Sequence, residues 1–167
     1  VFQFASVSLV RNAANLEKNM KFSIITSTVA ASLVAGVVFA GGHLAYEQRQ
    51  AAMKAMGGSL RVVGGMAQGA VPFDADTLAT TLATMQAAAE TAQGAFPAEP
   101  DVSENSKALA AIWEDREDFD MRLQTLVDTF TTAAANPPAD AAALGALLGQ
   151  VGPQCQTCHQ NYRQPTE

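Results

Sequence analysis

Two cysteines close to the C-terminus constrain this 167-residue chain more than any other feature. They stand in the segment Cys155-Gln156-Thr157-Cys158-His159, whose C-x-x-C-H spacing is typical of covalent c-type haem attachment. Each thiol can form a thioether with one vinyl group of haem, and His159 can supply an imidazole nitrogen to an axial position of the iron. The segment therefore predicts one covalent haem c, with Cys155 and Cys158 as the attachment points.

Other uses of two thiols fit the chain less well. The sequence contains 2 cysteines and 2 histidines, and His43 lies far from the motif. A structural zinc site needs about four Cys or His ligands, and an iron–sulfur cluster usually takes about four thiolates. A thioredoxin-like dithiol is expected early in a chain of alternating strands and helices, which is not the pattern here. A redox dithiol or a chance match is the alternative that is left.

Residues 20–40 have the layout of a secretory signal peptide. Met20-Lys21 forms a short basic start, an apolar run follows over 22–39, and Ala40 offers a cleavage site. A membrane anchor is the alternative, because the run approaches the length that spans a bilayer. We expect cleavage after Ala40, so that no stable membrane anchor is left. Residues 1–19 would then precede the natural start and be an over-extended reading of the gene.

The exported part, residues 41–167, is acidic and alanine-rich. It contains 7 basic and 15 acidic residues, so nothing in it suggests nucleic acid as a partner. Alanine has the highest intrinsic helix propensity, and few aromatic residues are present. Export agrees with the motif, because covalent haem attachment belongs to the bacterial periplasm in the systems that the chain resembles. We expect a helical haem domain over 41–167, located in the periplasm.

Apolar residues recur at steps of three and four in four segments. The first three helices are predicted over 43–68, 74–93 and 104–134, and the fourth follows Pro137-Pro138 and carries both cysteines. Gly152-Pro153 should bend or restart the fourth helix, and we expect a continuous helix with a bend. Short connections favour an all-α, antiparallel up-down four-helix bundle with covalently bound haem c. Arg116 is a polar misfit on the apolar stripe of the third helix.

Several stretches resemble the class II cytochromes c, the cytochrome c′ family, over about residues 43–165. The haem motif near the C-terminus is the most specific feature of this resemblance. The other matching stretches are Arg49-Gln50 with Met53, Val71-Pro72-Phe73-Asp74, Ile112-Trp113, Val151-Gly152 and Tyr162-Arg163.

The resemblance implies roles for individual residues on both sides of the haem. Cys155 and Cys158 match the thioether cysteines, and His159 matches the proximal iron ligand. Met53 matches the distal position, which is a noncoordinating apolar residue in most cytochromes c′ and an iron ligand in low-spin relatives. The resemblance also implies a homodimer formed through the first two helices.

Three further residues are expected to contact the haem: the resemblance implies this for Arg49, Gln50 and Arg163. Arg49 also lies on the apolar stripe of its helix, where burial of a guanidinium requires an anionic partner that a haem propionate would supply. The alternative for Arg49 is a frayed first turn from which the side chain reaches water. A solvated side chain is equally consistent with the position of Arg163.

Met53 separates two candidate functions. If its sulfur is the second axial ligand, the chain is a periplasmic electron carrier that exchanges single electrons with unidentified redox proteins. If Met53 only packs in the core, as methionine often does, the iron is five-coordinate and can bind nitric oxide or carbon monoxide. Met56, one turn later, is the fallback ligand. We expect no enzymatic activity, because the chain offers no recognisable acid–base or nucleophile constellation.

Overall fold

The computed structural model describes residues 33–100 and 103–165, with side chains from Leu44 onward. Five helices occur in this part: α1 (Leu33–Ala67), α2 (Ala75–Gly94), α3 (Ala111–Glu114), α4 (Arg116–Ala135) and α5 (Ala141–Tyr162). The four long helices form the bundle, and α3 is a single turn that precedes α4. The predicted all-α, antiparallel four-helix fold is therefore confirmed.

Helix α1 begins at Leu33, before the predicted start at residue 43. The apolar run continues into the helix without a proline, so nothing in the local sequence ends the helical backbone there. The predicted over-extended start (1–19) and most of the predicted signal peptide (20–40) lie outside the described residues. Within the part of the chain that the structure describes, no helix combines the length and the apolar character needed to cross a membrane.

Aspartate side chains cap two helices at their N-termini. Asp74 accepts a hydrogen bond from the backbone N–H of Thr77 at 2.7 Å, and this contact begins α2. Asp140 accepts one from the N–H of Ala143 at 2.8 Å and begins α5. Helix α5 continues through Pro153 to Tyr162, so the predicted continuity past this proline is confirmed.

The predicted third helix is wrong over its first residues. Residues 104–110 are not helical, and Asp115 interrupts the helix with φ −125° and ψ 60°. Long-range backbone pairing replaces helical hydrogen bonds in this segment: the N–H of Leu109 donates to the carbonyl of Tyr162 at 3.0 Å. The N–H of Gln164 donates to the carbonyl of Lys107 at 2.8 Å. The segment 103–110, hereafter the strap, is thereby held against the end of α5.

Arg116, the predicted misfit, has a structural role beside the strap. Its guanidinium donates to the carbonyls of Phe96 and Pro97, both at 3.1 Å, and pairs with the Asp120 carboxylate. The Trp113 indole N–H donates to the same Pro97 carbonyl at 3.0 Å. These contacts fasten the segment that follows α2 to the start of α4.

The core has two parts. The main cluster takes buried residues from all four long helices, among them Val63, Leu82, Phe130 and Leu144. A smaller cluster contains Ile112, Phe119, Leu123 and Tyr162, with Phe96 and Cys158 packed against it. Phe119 makes edge-to-face ring contacts with Phe96 and with Tyr162, at centroid distances of 4.6 and 5.1 Å. The smaller cluster forms the floor of the candidate site.

Candidate functional site

A cleft of about 420 Å³ lies between α1, the strap, α3, α4 and the end of α5. Its size is in the usual range for ligand-binding pockets, which is about 300–1,000 Å³. Of the site residues predicted from the sequence, all but Cys155 line this cleft: Arg49, Gln50, Met53, Cys158, His159 and Arg163. The structure thus brings together residues from the first and last helices that the sequence separates by about a hundred positions.

The two cysteines occupy successive turns of α5 and face different parts of the core. Cys158 lines the cleft and packs against the smaller cluster, whereas half-buried Cys155 packs against the main cluster beside it. Burial raises the pKa of both thiols above the usual range. This direction is opposite to that of a redox dithiol, whose reactive thiol has a lowered pKa.

His159 lies in the last turn of α5 and lines the cleft next to Cys158. Partial burial lowers the pKa of its imidazole, and the positive charge of Arg163 lowers it further. The neutral imidazole that these effects favour is the form that binds a metal ion.

Met53 and Met56 differ in their surroundings although they are one turn apart on α1. Met53 is half-buried and lines the cleft. Met56 is 6% exposed, belongs to the main core cluster and does not line the cleft. The position of Met56 in the core gives its fallback assignment as an iron ligand no support, and that assignment stays a prediction.

Arg49 is buried in the cleft wall, with 6% of its surface exposed. Its guanidinium donates to the carbonyl of Ala95 at 2.9 Å and to the Ser106 hydroxyl at 3.4 Å. It also stacks over the ring of Phe96, 4.9 Å from the centroid. The alternative in which Arg49 reaches out to water from a frayed turn is thus wrong, and its contact with a haem propionate stays a prediction.

Gln50 and Arg163 lie at the exposed mouth of the cleft. The Gln50 amide donates to the Tyr46 hydroxyl at 2.8 Å and accepts from the Lys54 ammonium at 3.1 Å. Arg163 pairs through its backbone with Ala108 of the strap. Their haem contacts also stay predictions, and their positions at the mouth are compatible with them.

Sequence reasoning missed the contribution of the segment between α2 and α3. Five of its residues line the cleft: Phe96, Asn105, Ser106, Lys107 and Ala108. Residues 104–110 were assigned to the predicted third helix, and no local pattern indicated that the segment between α2 and α3 reaches the site.

A hydrogen-bonded group of three side chains supports the floor of the cleft. The Tyr162 hydroxyl donates to the Asp118 carboxylate, which also pairs with the guanidinium of Arg122. Burial, followed by the contact with Asp118, raises the pKa of Tyr162 to about 12. The contacts with Arg122 and Tyr162 lower the pKa of Asp118. Asp118 thus connects α4 to the end of α5.

The chemistry of the cleft fits a covalently attached haem. Its floor is apolar, the Cys158 thiol and the His159 imidazole line it from α5, and cationic side chains line it as well. The second thiol, Cys155, lies three residues before Cys158 on the same helix. A flat apolar group that carries two carboxylates and an iron ion matches these three properties. Four cationic residues line the cleft: Arg49, Lys54, Lys107 and Arg163.

The fold and the site together define a four-helix, c-type haem protein. The family model described as Cytochrome C′ matches residues 45–163. The chain therefore belongs to the cytochrome c′ family, as the motifs predict, and its cofactor is covalently attached haem c.

The similar proteins include both named cytochromes and solved structures. The chain is 33% identical to a cytochrome c-556 of Agrobacterium fabrum (strain C58 / ATCC 33970), over 86% of this chain and 97% of the relative. The structure of a cytochrome c′ from Rhodopseudomonas palustris is 29% identical, with a TM-score of 0.67, and covers 74% of this chain and 98% of the relative. A nitric oxide complex of a mutant cytochrome c′ from Alcaligenes xylosoxidans is 26% identical, with a TM-score of 0.65, and covers 74% of this chain and 97% of the relative.

Proposed function

We propose that this protein is a periplasmic carrier of single electrons, in which His159 and Met53 are the two axial ligands of the haem iron. Cys155 and Cys158 provide the thioether bonds. The single observation that carries the proposal is that Met53 lines the same cleft as His159, while the neighbouring Met56 lies in the core.

Ligation by histidine and methionine suits electron transfer for two reasons. A thioether ligand raises the reduction potential of haem iron, and a six-coordinate iron needs little rearrangement when it gains or loses an electron. The cleft holds Met53 on α1 and His159 on α5, two helices of one packed bundle. A rigid bundle would keep both ligands in place in the two oxidation states. We assign no enzymatic reaction to the chain.

The proposal places the protein in the periplasm and makes unidentified redox proteins its partners. The predicted signal peptide over 20–40 supports export, and so does the covalent haem. The two features are independent of each other, so together they make a stronger argument than either one alone. We also propose a homodimer through α1 and α2. A groove lined by small side chains supports this interface: Ala51, Ala52, Ala55, Thr80, Ala83, Thr84, Ala87, Ala88 and Thr91.

Gas binding is the second candidate function. In this alternative Met53 only packs against the core, and the distal side of the iron binds nitric oxide or carbon monoxide. The nitric oxide complex of the related Alcaligenes xylosoxidans protein supports it. Met53 packs against the main cluster as well as lining the cleft, which is consistent with either role.

Absorption spectra of the oxidised and reduced holoprotein, with and without carbon monoxide, test the proposal. We expect low-spin spectra for the wild type, and high-spin spectra with rapid carbon monoxide binding for Met53→Leu, which removes the sulfur but keeps the volume. Met56→Leu is the matched control and should keep the low-spin spectrum. A wild-type protein that is already high-spin and five-coordinate would overturn the electron-carrier proposal in favour of gas binding.

A further inference from the structure

The cleft mouth concentrates positive charge on an acidic protein. Four cationic residues line the cleft, and no carboxylate from the described residues does so. The whole chain has 10 basic and 16 acidic residues, for a net charge of −6. We infer that this cationic mouth is the docking surface for a redox protein that presents an acidic patch. The inference rests on the proposed function, and it specifies the surface charge of the redox protein with which this electron carrier would interact.

Three of the cations are exposed and come from different parts of the fold: Lys54 from α1, Lys107 from the strap and Arg163 from the residue after α5. Backbone pairing between the strap and residues 162–164 holds Lys107 and Arg163 beside each other. The backbone positions of these two cations are therefore fixed relative to each other by the packed fold.

The charges of the three exposed cations, Lys54, Lys107 and Arg163, are not neutralised by ion pairs with described carboxylates. The Lys54 ammonium donates to the neutral amide of Gln50 at 3.1 Å. Within the described ranges, no salt bridge of 4.0 Å or less involves Lys107 or Arg163. By contrast, Arg116 and Arg122 on α4 pair with Asp120 and Asp118. The cations of α4 thus have local partners, whereas the three exposed cations at the mouth face solvent.

The net charge at the cleft mouth stays positive when the two haem propionates are included. Haem brings two propionates, which is fewer than the three exposed cations that line the cleft. Glu47 and Glu104 each adjoin a lining residue in the sequence but do not line the cleft themselves. The local charge therefore stays opposite to the net charge of the chain.

A surface charge of this kind acts on the rate of encounter. A cleft lined by charges of one sign attracts partners of the other sign and raises their association rate, and this effect falls as salt is added. The net charge of the chain predicts the opposite salt dependence for an anionic partner. With an anionic partner, a rate that falls as salt is added indicates that electrons pass through the cationic mouth. A rate that rises indicates that the negative net charge of the chain controls the encounter.

The test is the oxidation of the reduced holoprotein by two small reagents of opposite charge, hexacyanoferrate(III) and tris(phenanthroline)cobalt(III). We expect the rate constant with the anionic hexacyanoferrate to fall as ionic strength rises, and that with the cationic cobalt complex to rise. In the Lys54→Gln/Lys107→Gln variant the hexacyanoferrate rate at low salt should fall about tenfold, and its salt dependence should flatten. These substitutions are on exposed side chains, so the fold should persist.

Arg61→Gln is the matched control, because Arg61 is an exposed cation of α1 that does not line the cleft. At low salt its rate should fall by clearly less than tenfold, and at an ionic strength of about 0.1 M it should change by less than about twofold, since charges beyond about 10 Å are largely screened there. A hexacyanoferrate rate that rises with salt, or an equal loss of rate in Arg61→Gln, would overturn the inference. A high-spin, five-coordinate haem would instead overturn the proposed function, and it would leave the sign of the salt dependence unaffected.

Discussion

The guanidinium of Arg49 donates to the backbone carbonyl of Ala95 at 2.9 Å, across 46 positions of the sequence. This buried contact joins α1 to the residue that ends α2, and a second contact at 3.4 Å joins Arg49 to Ser106 of the strap. Ala95 is 1% exposed, so water cannot easily replace the guanidinium as its partner. Arg49 therefore holds two walls of the cleft together, in addition to its predicted contact with haem.

Arg49→Lys should separate these two roles. Lysine keeps the charge but lacks the planar fork that reaches two acceptors, so we expect a loss of about 1–3 kcal/mol in the free energy of unfolding. If the charge of Arg49 acts on the haem, Arg49→Lys should leave the reduction potential nearly unchanged, whereas Arg49→Gln should shift it. Denaturant unfolding and redox titration measure the two effects. Arg61→Lys on the exposed face of α1 is the control, and an equal loss there would contradict the prediction.

Tyr162 should make the protein less stable in strong alkali. Its pKa is raised to about 12, so the folded state keeps the phenol proton that the unfolded chain loses at a pH near 10. The stabilisation is fully present below pH 10 and is lost as the pH rises to about 12. Tyr162→Phe should remove this loss, as measured by unfolding at a series of alkaline pH values. Tyr46→Phe is the control, and an unchanged alkaline profile for Tyr162→Phe would contradict the prediction.

The sequence predicted those parts of the site that depend on local patterns. The motif from Cys155 to His159 specifies the attachment chemistry by residue type and spacing. The apolar stripe of the last helix then places Cys158 toward the bundle, because positions three and four apart share a helix face. The same reasoning placed Met53 and Arg49 on the inner face of α1, and both line the cleft.

The parts that the sequence did not predict depend on contacts between distant segments. The strap looks helical by composition, but its backbone hydrogen bonds go to Tyr162 and Gln164, which the local pattern does not specify. Arg116 looked misplaced because its acceptors, the carbonyls of Phe96 and Pro97, belong to a loop. The periodicity of apolar residues along one helix does not show which backbone carbonyls of a distant loop will pack beside that helix and accept its hydrogen bonds.

Phe130→Ala should test the main core without altering the cleft. Phe130 is 1% exposed, belongs to the main cluster and does not line the cleft. We expect a loss of about 3–5 kcal/mol in the free energy of unfolding, because truncation removes buried apolar surface and leaves a cavity. The haem spectrum of the folded variant should stay unchanged. Met121→Ala on the same helix, at 59% exposure, is the control and should change stability by no more than about 0.5 kcal/mol.

The thiols should distinguish covalent haem attachment from a redox dithiol. If Cys155 and Cys158 both form thioethers, neither reacts with iodoacetamide in the unfolded holoprotein, and the mass of the chain includes one haem. In Cys155→Ala or Cys158→Ala one thioether is left, so haem should stay bound to the chain in acidified acetone. The double variant should release it. Mass spectrometry after alkylation measures these outcomes. A holoprotein in which both thiols are alkylated would contradict the covalent assignment, because a sulfur bonded to haem has no thiolate to react.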